Sequence, residues 1–211
     1  VIQAGLEKTH IKEGDSVNLI VSLRYDNHRS EYCKCGRSIN PPIYYIVTID
    51  DIYVTHGELI GKYQCTLSTG QDCTKSISKP VTFEDLDFET GEHKLKIYFA
   101  NLGRGCYQYI GCGRTAVPPE LGEEVGQLYV EPAKEGMWLE TWLKTLPWEK
   151  LPQLYDSGEL KGNWNVAVYE GTVYIYSPGE EVPQEVTAVE VVELEPVSVQ
   201  AAKPGILDKI N

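Results

Sequence analysis

Apolar and polar side chains alternate with a period of two through most of this 211-residue chain. That period marks strands with one buried and one wet face. Ser16–Tyr25 reads as such a strand after the turn-like Glu13-Gly14-Asp15. Ile43–Ile49 is β-branched and aromatic, and Asp50-Asp51 interrupts it before Ile52–Val54. Thr55-His56-Gly57 then reads as a turn leading into Leu59–Tyr63. Val81–Leu86 precedes a turn at Glu89-Thr90-Gly91, and His93–Phe99 follows it. A Gly- and Cys-rich loop leads on to Gln127–Val130. Short strands at this spacing, separated by Gly, Asp and Asn, predict a mostly β protein built as an antiparallel sandwich.

The pattern changes after Pro132. Between Lys134 and Leu146, Trp138, Trp142 and Leu146 recur at i, i+4 and i+8, with Leu139 and Leu143 one step on, which predicts a short amphipathic helix closed by Pro147. The two tryptophans could alternatively form a sugar-binding platform, but aromatics at helical spacing more often pack into a core. Asn163–Tyr169 and Thr172–Tyr176, joined by Glu170-Gly171, predict a β-hairpin. Two further alternating stretches, Val186–Val192 and Glu193–Gln200, are broken by Pro196; Val189, Val191, Leu194, Val197 and Val199 supply their apolar side. These features divide the chain into residues 1–131, a sandwich with six cysteines, and residues 132–211, carrying the helix, the hairpin and a terminal strand.

Glu13-Gly14-Asp15-Ser16-Val17 before an early strand, and Leu86-Asp87-Phe88-Glu89-Thr90-Gly91-Glu92-His93 before a late one, resemble the immunoglobulin-like domains of surface and secreted proteins. The likeness covers residues 1–130. It departs from antibody domains in having no Trp on the central strand, since all four lie beyond residue 137. The antibody-type core disulfide is therefore not expected.

Six cysteines stand at Cys33, Cys35, Cys65, Cys73, Cys106 and Cys112. An even, clustered count reads as disulfides formed in an oxidising compartment, and the spacings match no common zinc finger. In a sandwich the loops holding Cys33, Cys35, Cys106 and Cys112 share one end, so these four are expected to pair across, with the partners within the set left open. Cys65 and Cys73 are expected to close their own hairpin. Val1 is not Met, which fits a leader removed on export or a trimmed boundary.

Nineteen basic against 31 acidic side chains give a net charge of −12. Such a surface repels phosphate backbones and anionic lipid, so nucleic acid is not an expected partner. No run approaches the ~20 apolar residues of a membrane helix, so insertion is not expected either. The four histidines are scattered, and neither a nucleophile elbow nor a phosphate loop is present. Asp50 and Asp51, adjacent on a strand, would point to opposite faces and form no acid/base dyad. Glu84, Asp85, Asp87 and Glu89 surround a loop that could offer oxygen ligands to calcium, though a solvated acidic turn accounts for them more simply. No enzyme activity and no cofactor are expected.

The terminal segments carry the functional expectation. An extended tail can complete a neighbour's sheet through main-chain hydrogen bonds, and Val189, Val191, Leu194, Val197 and Val199 are the candidate assembly strand. Val1–Leu6 is a second candidate donor, and an internal terminal strand is the simpler alternative. In architecture the chain is similar to the donor-strand filament proteins of archaea and bacteria. The expectation is an extracellular structural subunit that joins copies of itself into a pilus-like filament or surface layer. A virion protein (capsid, turret or fibre) and a secreted carbohydrate- or protein-binding module are the alternatives.

Overall fold

The computed structural model describes residues 1, 3–26, 39–40, 42–61, 63–64, 72–102, 126–128, 139–176, 180, 192–193 and 197–199. The protein is mostly β, as the alternation predicts. Among the described residues twelve strands run in chain order: β1 (Gln3–Leu6), β2 (His10–Lys12), β3 (Ser16–Asp26), β4 (Ile39–Asn40), β5 (Ile43–Ile49), β6 (Ile52–Ile60), β7 (Tyr63–Gln64), β8 (Asp72–Thr82), β9 (Gly91–Leu102), β10 (Trp164–Tyr176), β11 (Val192–Glu193) and β12 (Val197–Val199). One sheet has the order β11-β1-β3-β8 and a second the order β12-β10-β9-β5-β6, with β2 lying parallel to the far end of β10. A small β4-β7 pair stands apart.

The two large sheets pack face to face. Val17, Leu19, Val21 and Leu23 of β3 meet Tyr45, Val47 and Ile49 of β5 and Leu95, Ile97 and Phe99 of β9 in one buried cluster. The spacing is two on every strand, so the alternation read from the sequence is the inward face of the sandwich.

β5 is buried at all seven positions, which a single wet face would not allow. Its other side, with Tyr98 and Ala100 of β9 and Trp164 and Val166 of β10, is covered by a third layer. That layer comprises α1 (Leu139–Leu143), a 3-10 turn at Trp148–Lys150 and α2 (Leu151–Asp156). Trp142, Leu143, Leu146, Trp148 and Leu151 close over the sheet and form a second core with it. β10, which lies beyond residue 131, pairs with β9 in continuous register from Trp164 opposite Leu102 to Ile175 opposite Gly91.

Five local expectations are corrected. Thr55-His56-Gly57 is the middle of β6, not a turn, and Glu170-Gly171 is the middle of the single strand β10, not the tip of a hairpin. The same physics misled both readings. Gly57 lies opposite Tyr45, and a β-carbon placed on it would sit 2.6 Å from the Tyr45 hydroxyl; on Gly171 it would sit 2.6 Å from that of Tyr169. Each glycine makes room for an aromatic ring lying across its strand, which a scan for turn residues takes for punctuation.

Asp50 and Asp51 are not on a strand either. With φ of 50° and 63° they form the two-residue tip between paired Ile49 and Ile52, the left-handed geometry of a type I′ turn, which aspartate tolerates. The strand expected at Val81–Leu86 is instead the end of β8, which stops at Thr82. At Gln127–Val130 the described part is a 3-10 turn, Gly126–Leu128, held by the Gln127 side chain, which donates to the Glu159 carbonyl and accepts from the Lys161 N–H.

Candidate binding cleft and sheet edges

β6 and β8 are the outermost strands on one side of the sandwich, and among the described residues no further strand pairs with either. Unpaired edges present main-chain donors and acceptors to any passing chain, and proteins blunt them with Lys and Pro. β8 is blunted in this way by Lys75, Lys79 and Pro80. β6 carries none of these, only one carboxylate, Glu58, and its protection is confined to two register shifts against β5. Its first two residues are also apolar and outward, Ile52 being 59% and Tyr53 38% exposed. On the opposite side the outermost strands are β11, which pairs with β1, and β12, which pairs with β10.

Between β6 and β8 the sandwich opens into a cleft of about 600 Å³. Ile52, Tyr53 and Thr55 of β6 form one wall, Pro80 and Thr82 of β8 the other, with Tyr45 behind them and the loop after β8 as the rim. Tyr45 is only 6% exposed, and burial raises its pKa above the usual phenol value. Its ring reaches over Gly57 of β6. The neighbouring Tyr53 hydroxyl donates to Nδ1 of His56 at 2.6 Å. Burial holds the His56 pKa below the ordinary value, so that ring nitrogen stays free to accept.

The rim carries the acids singled out for calcium. Glu84, Asp85 and Asp87 line the cleft and are exposed, and Asp85 is held at φ 52°. Among the described residues no three His, Cys, Asp or Glu side chains are grouped as metal ligands. Glu89 takes part through its backbone, its carbonyl accepting from Nε2 of His93 at 2.7 Å.

His93 is held on both sides. Its Nδ1 lies 2.7 Å from Oδ2 of Asp50, whose other oxygen accepts the Lys94 N–H. Both ring nitrogens thus face acceptors, which favours the imidazolium. The Asp50 hydrogen bond raises the His93 pKa, helped by the Glu89 carbonyl, and His93 in turn lowers that of Asp50. The His93 contribution to stability is complete below 6.5 and fades as pH rises through its raised folded value. That of Asp50 is present above 3.8 and fades as pH falls through its lowered folded value. Both operate together between those limits. An NMR titration of the His93 ring is expected to give a midpoint above 6.5, falling back to the ordinary range in Asp50→Asn; a midpoint at or below 6.5 in the native chain contradicts the arrangement.

A second charged cluster lies on the opposite face of the sheet. Lys96 reaches Asp51 at 2.7 Å and Asp156 at 2.6 Å, and the Tyr98 hydroxyl donates to the same Asp156 oxygen at 2.7 Å. Burial alone would lower the Lys96 pKa, but the two carboxylates outweigh it and hold the ammonium charged. The cluster ties α2 to the sheet, and its groups satisfy one another, leaving none poised as base or nucleophile. Thr48, opposite Lys96, is buried with an unpartnered hydroxyl. An unpaired buried hydroxyl costs about 1–3 kcal/mol. Thr48→Val is therefore expected to raise the denaturation midpoint; a destabilised variant means the hydroxyl has a role.

The structure separates the residues expected to act. Cys33, Cys35, Cys65, Cys106 and Cys112 lie outside the described residues, as do Val189, Val191, Leu194 and Trp138. Cys73 lies on β8 opposite Tyr25, and Val197 and Val199 on β12 opposite Val166 and Trp164. Trp142 is buried in the second core, so packing and not sugar binding accounts for it. The exposed pair Ile52-Tyr53 escaped notice because alternation reports which residues share a face, not which strand ends up at an edge. The His93–Asp50 and Lys96–Asp156 pairs span 43 and 60 residues, beyond any local spacing rule. Among the described residues no helix is long and apolar enough to cross a membrane. No family model matches the chain, and comparison with curated proteins and with solved structures returned no match.

Proposed function

We propose that this chain is an extracellular structural subunit that joins copies of itself edge to edge into a filament or surface layer. The observation that carries the reading is the asymmetry of the sandwich. One side ends in β6, which carries no Lys, Arg or Pro, and the other in the chain's own terminal strands β11 and β12. When the β6 edge of one copy meets the β11–β12 side of the next, the contact is head to tail, and a head-to-tail contact that does not close into a ring propagates as a fibre.

The strand order supports the immunoglobulin-like reading. β1, β3 and β8 take the positions of strands A, B and E, and β5, β9 and β10 those of C, F and G. The even cysteine count supports an oxidising compartment. The cleft beside β6 also favours a second reading, a module that binds a foreign protein through Ile52 and Tyr53. Sedimentation velocity separates the two. The full chain is expected to form concentration-dependent polymers, and a chain lacking residues 186–211 to remain soluble and monomeric. If the shortened chain still polymerises, the terminal segment is not the connector. If the full chain stays monomeric at every concentration, the binding-module reading replaces assembly.

A further inference from the structure

The cleft and the chain's own tail are complementary in chemistry. Tyr45, Tyr53 and Phe88 supply aromatic surface, and Glu84, Asp85 and Asp87 a rim of carboxylates with no ion-pair partner among the described residues. Tyr45 lines that space from behind and is itself only 6% exposed. Aromatic faces beside carboxylates favour a lysine whose stem packs on the rings while its ammonium meets the acids. Residues 200–211, outside the described part, read Gln-Ala-Ala-Lys-Pro-Gly-Ile-Leu-Asp-Lys-Ile-Asn, with Lys203 and Lys209 against Asp208 among apolar side chains. In a chain of net charge −12, whose copies repel, a contact between copies needs such a locally opposite pair.

We propose that the cleft between β6 and β8 receives residues 200–211 of a second copy, with Lys203 or Lys209 seated among Tyr45, Tyr53 and the Glu84, Asp85 and Asp87 carboxylates. The proposal rests on the assembly reading and names its acceptor. The tail leaves β12 at the edge opposite the cleft, with β10, β9 and β5 between them. Val199 lies opposite Trp164, at the Leu102 and Ile60 end of the sheet, so residues 200–211 of a neighbour in a head-to-tail row would run back along β6 to reach Ile52–Thr55.

The test mixes equal amounts of full-length chain at natural and ¹⁵N isotope content, couples amines to carboxylates with a zero-length carbodiimide, and reads the links by mass spectrometry. Links joining Lys203 or Lys209 to Glu84, Asp85 or Asp87 are expected, about half of them pairing one light with one heavy chain, the share random mixing gives. The double variant Asp85→Lys/Asp87→Lys is expected to raise the concentration needed for polymerisation about tenfold, as the loss and reversal of two exposed pairs would. Adding Lys203→Glu/Lys209→Glu to it should restore assembly. Links within single-isotope chains alone overturn the proposal, because the tail then folds onto its own molecule. Polymers without these links also overturn it while leaving the assembly reading intact; a chain that neither links nor polymerises removes both.

Discussion

Replacing Trp148 by alanine is expected to destabilise the protein by about 3–5 kcal/mol, the range for emptying a fully buried tryptophan site. Trp148 has no exposed surface and makes three kinds of contact. Its ring stacks on Tyr44 with centroids 4.3 Å apart, and meets Trp164 edge-on at 5.6 Å. Its Nε1 donates to the Leu143 carbonyl at 2.8 Å, tying the turn back to the end of α1. The substitution removes the central piece of the second core and leaves that carbonyl with the longer Leu146 N–H bond at 3.3 Å alone. Because β5, β9 and β10 are shared between both cores, the loss should appear as one cooperative transition shifted to lower denaturant, with an unchanged slope. A shift worth less than about 1 kcal/mol, or a second transition, would mean that the helical layer folds apart from the sandwich.

The Lys96 cluster gives the second large effect, and it is asymmetric. Asp156→Ala takes away the acceptor shared by Lys96 and the fully buried Tyr98 hydroxyl, leaving Lys96 with Asp51 alone. Stranding a buried donor is expected to cost about 2 kcal/mol. Removing the cation instead, by Lys96→Met, leaves two carboxylates that water already reaches, Asp156 being 39% and Asp51 65% exposed on the side chain. Asp156 keeps Tyr98, and the methionine fills the space of the lysine stem. That change is expected to stay within about 1 kcal/mol of the native chain. Denaturation midpoints of the two variants decide the matter: equal losses would mean that the Lys96 charge itself stabilises the fold.

Much of the architecture is written locally. The inward faces of β3, β5 and β9 follow from alternation at Val17–Leu23, Ile43–Ile49 and Leu95–Phe99, because a strand presents every second residue to the same side. The helix around Trp142 was visible from its spacing. Other features were hidden for physical reasons. Gly57 and Gly171 carry the signal of a turn but serve as hollows for Tyr45 and Tyr169, a role settled by the ring above them. Asp50-Asp51 looked like a break in a strand, and only the pairing of Ile49 with Ile52 makes it a hairpin tip. The same tip then aims Asp50 at His93 and Asp51 at Lys96, two contacts on opposite faces of the sheet that no sequence window contains. The candidate site was hidden most deeply. An edge is a property of strand order, so nothing in Ile52-Tyr53 marks β6 as outermost until β5 has chosen β9 as its other neighbour.

Electron microscopy of the purified full-length chain at rising concentration tests the central claim most directly. Five strands about 4.8 Å apart make the second sheet roughly 24 Å wide, so copies joined edge to edge should form filaments with an axial repeat near that width. Uniform single particles at every concentration would contradict the claim that this sandwich is built to join its own kind.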